Sequence, residues 1–307
     1  MSRADTPGPS GPDGGASPGG NSAGGAQPVR VRALVEESLR LPGHHHRLRL
    51  VAPEIARAAL PGQFLHVWCH PPDQMDRPPC AAVLRRPFSI SRVRPEGRVE
   101  LLLRVRGVGG RLLASKAAGE LLDVIGPLGR GFWVDPGVGT VAVVAGGAGL
   151  APAPFLVEWL AAQGARVVLL AGAAADTAVP FPVERPRAGR ATIPALAALG
   201  AEVSLVTEAT EGLLVSELLE ARLGELTAEG AAVFAVGPRA MLKRLAEVTE
   251  GCLPLEVSLE ERMACGVGAC RSCVVPVRAG DGFVYQTVCR DGPVFDAAHI
   301  AWERLAA

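Results

Sequence analysis

The sequence predicts a multidomain β plus α/β protein: an antiparallel β-barrel, then a doubly wound parallel nucleotide-binding sheet, then a small C-terminal domain. Three observations carry this. Residues 29–136 read as short alternating runs broken by Gly and Pro, the texture of an antiparallel barrel or sandwich. Residues 137–251 alternate strand-like and helix-like segments, the texture of a parallel sheet. Residues 252–307 hold a tight group of cysteines in a stretch too short to build much of a core, so a bound metal centre is expected to supply the missing stability.

In chain order, residues 1–28 are mostly Gly, Pro, Ser and Ala without an apolar run; they read as a disordered tail that resembles neither a signal peptide nor a transit peptide. The barrel strands are expected in "VRVRALVEES", "HHRLRLVAP", "GQFLHVWC", "RRPFSISRV", "RVELLLRVRG" and "ELLDVIGPLG". Strands "VAVVAG", "RVVLLAG", "EVSLVTE" and "AAVFAVG" then alternate with helices in "PAPFLVEWLAAQG", "IPALAALG", "LLVSELLEAR" and "RAMLKRLAEVT". The longest apolar stretch, "VAVVAGGAGLAPAPFLVEWLAA", is interrupted by prolines and Glu158, so it predicts a buried strand, turn and helix and no membrane span. With 31 basic and 31 acidic residues the formal charge is zero and no basic stripe appears, so nucleic acid is not an expected partner.

The seven cysteines are an odd count without a secretory signal, which predicts a reducing, cytoplasmic setting. Four of them, Cys265, Cys270, Cys273 and Cys289, follow C-x4-C-x2-C-x15-C. Structural zinc sites usually take paired C-x2-C knuckles, whereas x4 followed by x2 is the plant-type 2Fe-2S spacing. The longer first interval lets a loop wrap the cluster with its N-H groups toward the sulfurs, and Gly266, Gly268 and Ala269 keep that loop slim. Arg262 and Arg271 stand near in sequence as further donors. A structural zinc is the alternative. Cys69, Cys80 and Cys252 stand alone and read as small buried side chains. The run His44, His45, His46 reads as a solvated loop, because three successive side chains point different ways; a metal site is the alternative.

A 2Fe-2S cluster moves single electrons, so a partner cofactor is expected. In "RRPFSI", Arg86 can meet a pyrophosphate, Phe88 an isoalloxazine face and Ser89 its edge. A basic strand end with Phe88 in the core is the alternative reading. "LLLRVRGVGGRLLAS" ends a strand in a Gly-rich turn that opens a short helix, where free N-H groups can hold phosphate. Gly146, Gly147 and Gly149 form a Gly-rich turn between a strand and a helix, and Gly237 with Pro238 lies at the same carboxyl edge of the sheet, so both turns can line one dinucleotide crevice. Tight strand-to-helix packing is the competing explanation. "RVVLLAG" is followed by "AAADTAV" with no immediate Arg or Lys for a 2′-phosphate, which favours NAD, although Arg185, Arg187 and Arg190 follow.

In this order, R-x-aromatic-S, G-G-x-G-x-x-P and G-P make residues 29–251 resemble the ferredoxin-NADP reductase superfamily. With "SLEERMACGVGACRSCVV" and "VCRDGPVF", the chain is similar to the electron-transfer subunits of two-subunit, NAD-dependent dihydroorotate dehydrogenase. That resemblance implies FAD, a 2Fe-2S cluster and NAD as acceptor. It also implies an FMN-containing catalytic partner in a heterotetramer of two of each chain, serving pyrimidine biosynthesis. By position it implies FAD contacts from Arg86, Pro87, Phe88, Ser89, Leu103, Arg104, Val105, Gly110 and Arg111, and iron ligation by the four spaced cysteines. The chain departs from the family's pattern at Gly110, where a phosphate-binding hydroxyl is usual, and at Val236, where a Cys is frequent. A stand-alone NAD(P)H reductase serving an oxygenase or ferredoxin is the alternative function.

Overall fold

The computed structural model describes residues 27–69, 84–134, 137, 139–187 and 189–305. Cys80 and residues 1–26 of the expected tail lie outside the described residues.

The first part contains β1 (Val29–Leu41), β2 (His45–Val51), α1 (Pro53–Ala58), β3 (Phe64–Val67), β4 (Arg86–Arg94), β5 (Arg98–Arg104), α2 (Gly107–Ala114) and β6 (Leu121–Leu128). The strands close into an antiparallel barrel in the order β1-β2-β5-β4-β3-β6. Period-two alternation is what closure requires: Val35, Leu48, Leu50, Leu65, Val67, Ile90, Leu101 and Val124 fill the interior. All six strands were legible because each has one apolar face.

The second part contains β7 (Thr140–Gly146), α3 (Ala153–Ala162), β8 (Arg166–Ala173), α4 (Pro194–Ala197), β9 (Ala201–Thr207), α5 (Glu208–Glu211), α6 (Val215–Glu220), α7 (Leu223–Ala228), β10 (Ala232–Val236) and α8 (Arg239–Thr249). The C-terminal segment adds β11 (Leu255–Ser258), β12 (Val274–Ala279), β13 (Gly282–Thr287) and β14 (Val294–Asp296). The second sheet runs β14-β11-β10-β7-β8-β9, parallel except for β14. β7, β8 and β10 are buried on both faces, which is why they read as continuous apolar runs.

The stretch from residue 252 therefore does more than hold cysteines: β11 and β14 complete the parallel sheet, and only β12 and β13 form a separate hairpin. Cys273, Val275, Val288, Cys289 and Phe295 share one apolar core with Ala142, Val168 and Leu242. The short segment thus borrows its core from the neighbouring sheet.

The barrel is fastened to the α/β part from β4. Arg92 makes two hydrogen bonds to Glu158 of α3, at 2.7 and 2.6 Å, and the Ser91 hydroxyl donates to the Ala151 carbonyl at 2.6 Å. On the other side the Arg130 amide donates to the Gly292 carbonyl at 2.5 Å. Among the described residues no helix is long and apolar enough to cross a membrane.

Candidate functional site

Barrel, sheet edge and cysteine segment meet around one cleft of about 580 Å³. Pro87, Phe88 and Ser89 line it from β4, Leu103 and Arg104 from β5, Gly147 from the turn after β7, and Pro238 from the turn after β10. Glu260, Glu261 and Met263 line it from the segment leading into the cysteines. The three motifs that lay far apart in sequence are thus walls of one space.

The arginines nearest the cleft differ in what holds them. Arg85 bonds Asp123 at 2.8 Å, Arg92 bonds Glu158, and Arg49 and Arg94 both reach Glu100. Arg86, Arg104, Arg106 and Arg111 make no ion pair among the described residues, and all four lie at one end of the barrel around the start of α2. Arg86 places its Cγ 3.2 Å from where a Cβ on Gly109 would stand. The first turn of α2 has no side-chain cap, so the N-H groups of Gly107, Val108 and Gly109 are left for an outside acceptor. Uncompensated guanidiniums beside free helix N-H groups suit a pyrophosphate, and aromatic and apolar β4 and β5 side chains suit a flavin ring. Gly110, assigned a phosphate contact by resemblance, lies one residue further into the helix and is buried. Val105 is half-buried, its amide tied to the His44 carbonyl at 2.8 Å.

At the sheet edge the glycines split by role. Gly147, at φ +54°, has nothing within 4 Å of its Cβ position and faces the cleft. Gly149 packs directly on the end of β10: a Cβ there would lie 1.9 Å from the Val236 carbonyl oxygen. Gly146 and Gly237 both press on the Met241 thioether. For Gly146 and Gly149 tight packing is what the structure displays; Gly147 and Pro238 reach the cleft, and Gly237, though pressed on Met241, lines a recess beside it. A second recess of about 550 Å³, lined by Pro238, Arg239, Glu260, Glu261 and Arg262, adjoins on the sheet side. Enough protein surrounds Glu260 to raise its carboxyl pKa by desolvation, although its surface stays open to solvent. Beyond β8, Arg185 is held by Asp176 at 2.6 Å and also pairs with Glu211, which leaves it little attraction for a 2′-phosphate.

The cysteine loop brings all four spaced thiols together. Cys265 acts on the Cys270 thiol, and Cys273 and Cys265 both act on Cys289, so the four thiols lie within reach of one another. The loop turns its amides inward, with the Gly268 N-H donating to Cys289 Sγ at 3.0 Å and the N-H groups of Val267 and Cys270 to Cys265 Sγ at 3.4 Å. Gly266 and Gly268, at φ +73° and +82°, permit the winding. Arg262 and Arg271, expected as donors, point elsewhere: Arg262 lines the sheet-side recess and Arg271 donates to the Tyr285 carbonyl at 3.3 Å. The Ser272 hydroxyl and neighbouring N-H groups draw the exposed Cys270 thiol down to about 6, and burial pushes Cys289 up to about 12. A metal must therefore displace a proton from Cys289 to bind it.

Two sequence expectations need correction. His45 and His46 are buried strand residues and only His44 is exposed: His46 bonds Ser38 at 2.8 Å, and His45 bonds the Pro42 carbonyl at 2.9 Å and lines the cleft. Their register in β2, not the run itself, sets their exposure. Cys252 is exposed, whereas Cys69 is buried as expected, its thiol pushed up to about 11 by desolvation. Sequence reasoning also missed Phe64, Arg106, Ser258 and Pro293 as cleft residues; of these only Arg106, beside the Gly-rich turn, carried a local signal.

A flavin-type barrel joined to a parallel nucleotide-binding sheet, with a four-thiol loop between them, defines an FAD-, NAD- and 2Fe-2S-dependent oxidoreductase of the ferredoxin-NADP reductase fold. A solved NADH-dependent reduced ferredoxin-NADP oxidoreductase superposes with a TM-score of 0.71 at 22% identity, over 90% of this chain and 91% of that one. Residues 260–301 match the family model described as the iron-sulfur cluster binding domain of dihydroorotate dehydrogenase B. The dihydroorotate dehydrogenase B (NAD(+)) electron transfer subunit of Desulforamulus reducens is 37% identical over 259 residues, 82% of this chain and 90% of that protein. Its counterpart in Geobacillus thermodenitrificans is 34% identical over 276 residues, 88% of this chain and 98% of that protein. The chain belongs to the family of dihydroorotate dehydrogenase B electron transfer subunits.

Proposed function

We propose that this chain carries electrons from the FMN of a dihydroorotate-oxidising partner subunit to NAD+, in a cytoplasmic heterotetramer of two of each chain that serves pyrimidine biosynthesis. Oxidation of dihydroorotate to orotate releases two electrons and two protons; NAD+ keeps both electrons and one proton as hydride, and the second proton leaves to solvent. When bound, the cluster passes electrons singly and FAD takes them up one at a time and gives them away as a pair, which joins the two chemistries.

The chain's own residues supply binding and alignment. Cys265, Cys270, Cys273 and Cys289 would hold the cluster, and the N-H groups of Val267, Gly268 and Cys270 would offset the charge on its sulfurs. Exposed Cys270 and Val267, the latter 48% accessible, leave one edge of the loop open toward a partner. Pro87, Phe88, Ser89 and Leu103 wall the flavin, and Arg86, Arg104, Arg106 and Arg111 with the start of α2 hold its phosphates. Gly147 and Pro238 keep the opposite wall open for the nicotinamide nucleotide, and the capture of Arg185 by Asp176 and Glu211 favours NAD over its 2′-phosphorylated form.

The observation that carries this reading is the single cleft shared by β4, the sheet edge and the approach to the cysteine loop. A stand-alone reductase draws support only at the level of fold. Co-purification with the FMN subunit, assay of FAD and iron, and measurement of dihydroorotate-dependent NAD+ reduction test it. A fully loaded complex without that coupled activity would refute it.

A further inference from the structure

His66 stands out among the buried polar groups. It is 1% exposed, and among the described residues neither Nδ1 nor Nε2 has a hydrogen-bond partner. Such a group forfeits its water bonds for nothing in return, and an apolar side chain of similar size would sit there without that loss. The carbonyls of Arg85 and Cys265 lie nearby without satisfying either nitrogen.

Its position explains what the ring faces. Leu65 and Val67 point into the barrel, so His66, between them on β3, points out of it. The outer face at that point is covered by the cysteine loop: a Cβ on Gly266 would lie 2.5 Å from His66 Nδ1 and 2.9 Å from its Cγ. The loop therefore gives up a side chain directly after the ligand Cys265 so that the imidazole can press on its backbone. Across the strand pair His66 is opposite Pro87, which lines the cleft assigned to FAD. One imidazole thus stands between the cluster loop and the flavin wall.

We propose that His66 is a positioning residue that donates a ring N-H hydrogen bond to a sulfur at the Cys265 corner of the bound 2Fe-2S cluster, raising the cluster's reduction potential on the side facing the flavin. In every protonation state an imidazole carries at least one N-H. A hydrogen bond to a cluster sulfur strengthens as negative charge is added on reduction, so it favours the reduced form. This rests on the assignment of the four cysteines as iron ligands.

The test uses the full holo-chain in complex with its partner subunit, labelled with 15N-histidine and reduced with dithionite. Pulsed EPR is expected to show a weak 15N coupling to the reduced cluster in the wild type and none in His66→Leu or His66→Asn. In an EPR-monitored redox titration, His66→Leu is expected to lower the equilibrium constant for cluster reduction about tenfold, which is about 59 mV for a one-electron couple. His66→Asn, which keeps an N-H donor, is expected to recover most of that loss. A wild-type cluster without histidine coupling overturns the proposal even if the Leu variant fails to load iron. So does a fully loaded Leu variant with an unchanged potential. Protein holding no 2Fe-2S cluster overturns the cysteine assignment and this proposal together, whereas a normal cluster without the coupling overturns this proposal alone.

Discussion

Replacing Gly149 by alanine adds a single methyl group at a place where the fold has no room for it. The new Cβ would stand 1.9 Å from the Val236 oxygen, 2.5 Å from the Val236 carbonyl carbon and 3.0 Å from the Gly237 nitrogen. All three are backbone atoms at the end of β10, a strand paired on both sides, so no side chain can swing away. The turn after β7 must move, and overpacking of this kind costs about 1–3 kcal/mol. With backbone as the obstacle the upper half applies, and about 2.5 kcal/mol corresponds to roughly a 70-fold change in the folding equilibrium. The displaced turn carries Gly147 away from Pro238, so binding of NAD should weaken while FAD and iron content stay normal. Gly147→Ala is the control: its Cβ meets open space, and only the φ of +54° costs about 1 kcal/mol. Urea denaturation and the KM for NAD+ measure both effects. A Gly149→Ala protein within about 0.5 kcal/mol of wild type, with unchanged KM, would refute the packing argument.

Further outcomes are expected elsewhere. Cys270→Ser should remove the reduced 2Fe-2S EPR signal while leaving FAD bound, because the flavin walls do not include the loop; a surviving signal would displace Cys270 from the ligand set. Asp123→Asn should cost about 2–3 kcal/mol, less than a fully buried pair because Arg30 is 62% exposed. Burial alone would raise the Asp123 pKa, but hydrogen bonds from Arg30 and Arg85 outweigh it and hold the carboxyl below its ordinary 3.8. The depressed carboxylate thus stabilises the barrel above about pH 4 and loses that contribution as the pH falls toward its folded value. Urea midpoints between pH 5 and 3 should fall less in Asp123→Asn than in wild type. Asp176→Asn with Glu211→Gln frees Arg185 from both carboxylates and should lower the KM for NADP+ relative to that for NAD+ by about tenfold; an unchanged ratio would mean that Arg185 does not reach the 2′ position.

Elements with a strong local cause were legible in the sequence. Each barrel strand has one apolar face, and β7, β8 and β10 are apolar throughout because the sheet is covered on both sides. The first three spaced cysteines lie within nine residues, so loop geometry alone brings them together, and their spacing names the cluster type. Adjacent Arg85 and Arg86 show where that reach ends. Both precede the same Pro-Phe-Ser, yet Arg85 is bound to Asp123, 38 residues away, and only Arg86 is left for a ligand.

The amino-acid order by itself determined the barrel, the parallel sheet and the iron-binding spacing, since alternation, apolar runs and short ligand intervals act between near neighbours. Closure of the tertiary structure decided the rest: that β11 and β14 complete the sheet, that Arg86, Arg104, Arg106 and Arg111 make no ion pair among the described residues, and that Gly266 seats His66 against the cluster loop. Those features depend on which residues distant in the chain come within a few ångströms, a matter that packing settles and no local pattern records.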